Sequence, residues 1–413
     1  MNKAGPSAIA RRYDMVSAAR MCLICKGSRA LCGQVHCPLM ARLNVEPKLK
    51  NLPSDFFGPS TSVFVGRMGY PRVSVGPLAA VEYREHIDDP SRWFGMPYPE
   101  LIELRSMLLR AKVTRDVRSR ERFILENQEI ALADRPTDVE LTFRSRPVYR
   151  VSFSDIVQPM GPSATLRGMR LAENPHIPRR IDYIAGDDLK ASQAGMLLYQ
   201  DGHDVYRISS ILSSGVLGRK DSKRLVPTRW SIVAVQDMVA QGLMMRVKEY
   251  PQIDGFRVYS SEFLDNHFEI LLMPGSWEFE NFEAWAPGSM WTARLKKPEI
   301  LEEYEPYGGR KGYAELQGGG YYASRLGVAE GLAGLRRQAR VVVFREVYEG
   351  YTVPLGNWQI LENVRNAFRQ PFLKFDAREE ALKHIDSGLR LGIGDYAERS
   401  RILGQRRLLD FTA

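Results

Sequence analysis

The apolar positions of this chain change period several times, and each change marks an element. In "SVFVGRMGYPRVSVGPL" (62–78), two short apolar runs flank a Gly/Pro turn, which predicts a β-hairpin. "YPELIELRSMLLRAK" (98–112) sets Leu101, Leu104 and Leu108 on one helical face, with Pro99 near the start, and predicts a helix throughout. "PTDVELTFRSRP" and "VYRVSFSDI" alternate like strands. "TRWSIVAVQDMVAQGLMMRV" (228–247) predicts an amphipathic helix with Thr228 as its N-cap. "DGFRVYSSEF" and "NHFEILLMPG" predict a strand pair joined by a short loop. Further on, "YYASRLGVAEGLAGLRRQ" predicts a helix and "ARVVVFREVY" a strand. "NWQILENVRNAFRQ" and "DAREEALKHI" predict two more helices. The expected class is α+β, or mixed α/β, without internal repeats and without a nucleotide-binding βαβ signature.

One stretch breaks the pattern. "KPEILEEYEPYGGRKGYAELQGGG" (297–320) is rich in Glu, Tyr and Gly, and predicts a boundary or a mobile loop.

Composition narrows the class further. The chain has 413 residues, 44% of them hydrophobic, which excludes wholesale disorder. No run of about 18 apolar residues is present, so no membrane span and no membrane partner are expected. The first residues, "MNKAGPSAIARRYDMVSAAR", lack the apolar middle of a signal peptide, so a cytoplasmic location is expected. The net charge of +9 suits contact with nucleic acid through phosphate neutralisation.

All four cysteines lie between positions 22 and 37. Cys22 and Cys25 form C-x2-C; Cys32 and Cys37 form C-x4-C. Two short loops that deliver four thiolates suit one tetrahedral zinc ion, a closed structural site. An iron–sulfur cluster is the alternative, since a four-cysteine set ending in C-P also occurs in ferredoxins.

No catalytic motif stands out: G-x-x-x-x-G-K-[ST], H-E-x-x-H and G-x-S-x-G are all missing. No catalytic residue is assigned. Magnesium or manganese would enter only if scattered carboxylates converged into a nuclease site. Asp187 and Asp188 read as a solvated turn. "GGGYYASR" opens a helix and could hold an anion, with Arg325 one turn inside, or be a plain loop. Trp230 beside Arg229 could stack on a base or sit in the core. At the end of the chain, "QRRLLDF" spaces Gln405, Leu408 and Phe411 three apart, so one 3₁₀ turn would put them on one side. The residues alone leave two readings: an exposed docking peptide, or a helix packed on its own domain.

Several blocks together resemble the archaeal Nre family of DNA repair proteins. They are "CLICKGSRALCGQVHCPL", "LVPTRWSIVAVQDM", "GGGYYASRLGVAEGL", "VFREVYEGYTVPLGNWQILENVRNAF" and the "QRRLLDF" tail. The resemblance runs from about residue 20 to the end. It implies a role in DNA damage repair, a four-cysteine zinc finger, and a C-terminal motif (a PIP motif) that docks on the sliding clamp PCNA. In that motif Gln405, Leu408 and Phe411 take the Gln, aliphatic and first aromatic positions; Thr412 stands where a second aromatic is usual. The expected organisation is a zinc module at 1–45, an N-terminal family region at 46–300, a C-terminal family region at 301–400 and a clamp-binding tail at 401–413. DNA, PCNA and other repair proteins are the expected partners, with a nucleoid-associated location. A metal-dependent nuclease or nucleotide hydrolase, and a non-catalytic adaptor, remain the alternatives.

Overall fold

The structure is a computed structural model that describes residue 25 and residues 38–149, 160–286, 298–351 and 353–404. A boundary at Gly242/Leu243 divides it into two compact units. Among the described residues, no helix is long and apolar enough to cross a membrane.

The first unit is built on a closed barrel. Its strands are β1 (Asp55–Val65), β2 (Arg72–Ala80), β3 (Leu108–Asp116), β4 (Thr137–Phe143) and β5 (Ser163–Leu171). They close in the order β1-β2-β3-β5-β4, and β4 pairs back to β1. Every contact is antiparallel except that between β3 and β5. The long strand β1 makes closure possible. Asp55 to Ser60 pair with β4, Ser62 to Val65 pair with β2, and the register shifts between Ser60 and Ser62. Gly76 lets β2 and β3 approach, because a side chain there would run into the Ala111 carbonyl.

Alternation then sorts the side chains. Val63, Val65, Val73, Val75, Leu109, Ala111, Val139 and Leu141 point inward. Helix α3 (Arg122–Leu132) lies between β3 and β4 in the chain and adds Ile124, Ile130 and Ala131 to the barrel core. A five-stranded barrel in this order, with its helix after β3, is the oligonucleotide/oligosaccharide-binding (OB) arrangement. Around it are α1 (Pro38–Leu49), α2 (Tyr98–Ser106), α4 (Arg179–Gly186), α5 (Ala191–Gln200), α6 (Val205–Ser213) and the first part of α7 (Thr228–Val247).

The predicted hairpin is β1–β2. The predicted helix over 98–112 is half correct: α2 ends at Ser106, and strand β3 begins at Leu108. Leu101 and Leu104 hold the helical face, and Leu109 and Ala111 then follow strand alternation into the barrel.

The second unit is a six-stranded sheet with helices on both faces. Its strands are β6 (Phe256–Phe263), β7 (Asn266–Met273), β8 (Glu278–Trp285), β9 (Glu299–Glu305), β10 (Arg340–Val347) and β11 (Leu373–Phe375), in the order β11-β6-β7-β10-β8-β9. β10 and β8 are parallel, and the other pairs are antiparallel. The central strand β10 is buried along its whole length.

One face packs Val342, Phe344, Phe282 and Leu271 against α10 (Arg378–Gly388), α11 (Ile393–Ala397) and α12 (Arg401–Gly404). The other face meets α8 (Gly319–Leu335) and α9 (Trp358–Arg369) through apolar contacts such as Phe279 on Tyr321 and through buried polar groups. There Arg345 donates to Glu283 at 2.6 Å and to Asn266 at 2.7 Å, and Ser324 bonds Asn281 at 2.7 Å. The Glu-rich stretch expected to be a boundary or mobile loop contains a strand, β9. It pairs with β8 from Glu299 to Glu305, so its alternating glutamates serve the two sheet faces.

Candidate nucleic-acid interface

The rim of the barrel carries exposed aromatic rings. The β1–β2 turn, "GRMGYP" (66–71), presents Met68 at 81% and Tyr70 at 42% exposure. Trp230, 46% exposed, lies against Tyr70 with ring centroids 5.2 Å apart at 51°. A local device brings the two together. The Val65 amide donates to the Thr228 hydroxyl at 3.0 Å, which lays the start of α7 on the end of β1. The first turn of α7 then closes from Trp230 N–H to the Pro227 carbonyl at 2.8 Å. Thr228, predicted as a cap, thus ties the helix to the barrel. Arg67 and Arg72, within a few residues of Tyr70, and Arg229, next to Trp230 in the chain, are exposed. Among the described residues, none of the three arginines has an ion-pair partner.

The cationic surface continues onto the outer face of β2 and β3, the face that binds oligomers in OB barrels. The Arg110 guanidinium lies 5.8 Å from the Phe64 ring centroid and donates to the Gly161 carbonyl at 3.3 Å. Lys112 follows two residues along the same strand, on the same side. Burial lowers the pKa of Arg110, and Arg105 lowers it further. Burial and then Arg110 lower that of Lys112. Neither has a carboxylate partner among the described residues. Cations held near one another without counter-charges make a surface that favours an anionic ligand.

The other predicted residues have different surroundings. Arg325 is 5% exposed, and its guanidinium makes two bonds to Glu305, of 2.5 and 2.8 Å. Burial pushes the Glu305 carboxyl up, but Arg325, Tyr321 and Trp277 outweigh it and hold the carboxyl below its usual range. The charge of Arg325 is therefore spent inside the unit. Gly320, in the glycine-rich start of α8, packs so closely on the buried Glu283 carboxylate that a side chain there would meet it, and its own amide bonds the Gln317 carbonyl at 3.1 Å. Asp187 accepts from the Asp188 amide, and Asp188 from the Lys220 amide at 2.7 Å, so this pair organises a loop.

Cys25 is buried; Cys22, Cys32 and Cys37 lie outside the described residues. Among the described residues no group of three or more His, Cys, Asp or Glu is arranged to hold a metal ion. Gln405, Leu408 and Phe411 also lie outside them. The chain is anchored just before: Ile402 and Leu403 are buried, and Arg340 and Arg378 donate to their carbonyls.

Sequence reasoning passed over Tyr70, Arg67, Arg72, Arg110 and Lys112. The signal within reach was the turn itself, since "GRMGYPR" puts an aromatic and two arginines at the tip of a predicted hairpin.

A model of the archaeal Nre N-terminal region matches residues 31–292, and a model of the archaeal Nre C-terminal region matches residues 305–411. The chain belongs to the archaeal Nre family. This Nre chain is 36% identical over 394 residues to the DNA repair protein NreB of Archaeoglobus fulgidus, covering 94% of the chain and 98% of that relative. It is 38% identical over 369 residues to the DNA repair protein NreA of Haloferax volcanii, covering 86% and 88%. The NreA of Archaeoglobus fulgidus is 37% identical over 365 residues, covering 87% and 92%. No solved structure matches the Nre chain significantly.

Proposed function

We propose that this Nre chain is a DNA repair factor that holds single-stranded DNA on the rim and outer face of its barrel. The repair role follows the names of its relatives. The DNA contact is carried by one observation: an exposed Tyr70–Trp230 pair, with three exposed arginines without carboxylate partners close by in the same turn and helix start, on the rim of an OB barrel. Unpaired bases stack on aromatic rings whatever their sequence, and arginines follow the phosphates. The fold alone would be only an analogy, because OB barrels serve several ligands.

Stacking is worth about 1–3 kcal/mol per base. Trp230→Ala should therefore weaken binding of a short single-stranded oligonucleotide roughly tenfold, and Tyr70→Ala by a similar factor. Anisotropy of an end-labelled oligonucleotide is the measurement. Affinity should also fall with salt at a slope near −2, as expected if about three phosphates are neutralised. Unchanged affinity in the Tyr70→Ala/Trp230→Ala variant would refute this placement.

The same proposal gives the two ends of the chain supporting roles. Cys22, Cys25, Cys32 and Cys37 would hold one structural zinc ion, with the buried Cys25 suiting a closed thiolate site. Gln405, Leu408 and Phe411 would dock on PCNA as a tether, just past the anchored Leu403. Removing residues 405–413, which leaves the anchored Leu403 in place, should abolish PCNA binding in calorimetric titration. The same purified protein should keep about one zinc per chain by elemental analysis. PCNA binding that survives the truncation would remove the tether, and a chain without zinc would remove the metal site.

A further inference from the structure

The connection from β3 to α3 and the loop from Gly215 to Leu225 enclose a cleft of about 420 Å³, large enough for a nucleotide. Val117, Ile124, Leu125, Val216 and Leu225 supply apolar side chains to its lining. The lining carries Arg118, Arg120, Lys220, Lys223 and Arg224 with one carboxylate, Asp182, and the Asp116 and Asp188 carboxylates lie just behind it on the Arg118 and Lys220 amides. Among the described residues none of the five cations makes an ion pair. Burial lowers the pKa of Lys223, and Lys220 and Arg120 lower it further against the opposing Asp188.

The cleft is already shaped. Gly215, at φ 82°, crosses the backbone of Arg224 and Leu225 so closely that a side chain would meet it at 2.6–2.8 Å. The Leu225 amide donates to the Val117 carbonyl at 2.8 Å, and Arg120 donates to the Lys220 carbonyl at 3.3 Å. Asp116 fixes the Arg118 amide at 2.9 Å, and Asp188 fixes the Lys220 amide at 2.7 Å. Like charges are thus held together by backbone bonds. The cleft also adjoins the aromatic rim: the Val117 amide donates at 3.0 Å to the carbonyl of Pro71, the residue after Tyr70.

We infer that this cleft receives the phosphomonoester of a nucleotide, and that on DNA this is the phosphorylated end of a strand whose neighbouring bases lie on Tyr70 and Trp230. The strand as the source of the phosphate rests on the DNA-binding reading above. The chemistry of the cleft does not. A phosphate monoester carries nearly two negative charges near neutral pH, against one for an internal diester. Five cations without an ion-pair partner, of which Lys223 and Arg120 donate only to the Ala185 and Lys220 carbonyls, favour the more highly charged group, and the apolar lining residues suit the attached sugar and base.

The test uses the full chain and single-stranded oligonucleotides of one sequence, with 5′-phosphate, 3′-phosphate or hydroxyl ends, read by competition anisotropy. One phosphorylated end should bind about tenfold tighter than the hydroxyl form, the gain expected from a single charge-assisted bond at the low end of its range. The variant Arg118→Ser/Lys220→Ser removes two side chains that make no bond of their own in the structure, and its fold is checked by circular dichroism. It should bring the ratio between the oligonucleotides to one. Trp230→Ala should weaken all of them and leave the ratio in place. Equal affinity for all three ends in the parent protein overturns the inference. If no oligonucleotide binds, the DNA-binding reading fails, and titration with dAMP decides the cleft alone. Binding of dAMP that the double variant loses keeps it as a mononucleotide site; no binding of dAMP overturns it.

Discussion

Glu305→Ala should destabilise the C-terminal unit by about 3–5 kcal/mol, the usual cost of stranding one member of a buried ion pair. Glu305 is 1% exposed and gathers three donors: the Arg325 guanidinium, the Tyr321 hydroxyl at 2.6 Å and the Trp277 indole N–H at 3.2 Å. Without the carboxylate, a guanidinium stays buried with no counter-charge, and two further polar groups lose their acceptor. Urea unfolding followed by near-ultraviolet circular dichroism measures the loss. The control is Glu305→Leu/Arg325→Met. Replacing both charges with apolar groups should recover the part of the stability that the uncompensated charge costs, and leave the smaller cost of the Tyr321 and Trp277 donors that have lost their acceptor. A single variant that unfolds at the parent's urea midpoint would show that the pair is not the anchor of β9 and α8.

The same unit should lose stability as pH rises through about 7. Glu280 is fully buried on β8, facing α12. Burial pushes its carboxyl up to about 7, although Ser400 and the Arg401 amide at 2.7 Å favour the charged form; Glu302 raises it further. A carboxyl with a raised folded-state pKa binds its proton more tightly in the folded protein. Its contribution is complete below the unfolded-state value near 4.5 and lost as pH climbs through the folded value. From about 4.5 to about 7, the loss amounts to roughly 3 kcal/mol once both states are ionised. Urea midpoints at pH 5 and pH 9 should therefore differ, and Glu280→Gln should shrink the difference. A parent and variant with parallel pH profiles would place the titrating group elsewhere.

The elements with one clear period were legible in the sequence. β10 is an apolar run that lies at the centre of a sheet, and α8 and α9 follow their helical pattern. Where two periods share residues, reading failed: Leu101, Leu104 and Leu108 satisfy a helix, yet the chain turns into a strand after Met107. The barrel was hidden for another reason. The pairing of β3 with β5 joins Arg110 to Ser163, and no local pattern carries that contact. The partners of the named residues were equally remote. Trp230 stacks on Tyr70, far away in sequence, and Arg325 meets Glu305 on a strand that looked like a loop. The basic cleft left one local trace, the run "RKDSKR" (219–224), while its other wall, Arg118 and Arg120, comes from the end of β3.

The outer strands of the C-terminal sheet bear on how the protein behaves in a concentrated solution. An open sheet offers its last strand as a template for another chain, and long flat apolar edges seed aggregates. Neither edge here has that form. β11 is only three residues long and carries Lys374. β9, "EILEEYE", has glutamate at four of its seven positions, so a second copy laid alongside in register would bring like charges together. Fibre growth from these edges is thus opposed by brevity on one side and by repulsion on the other.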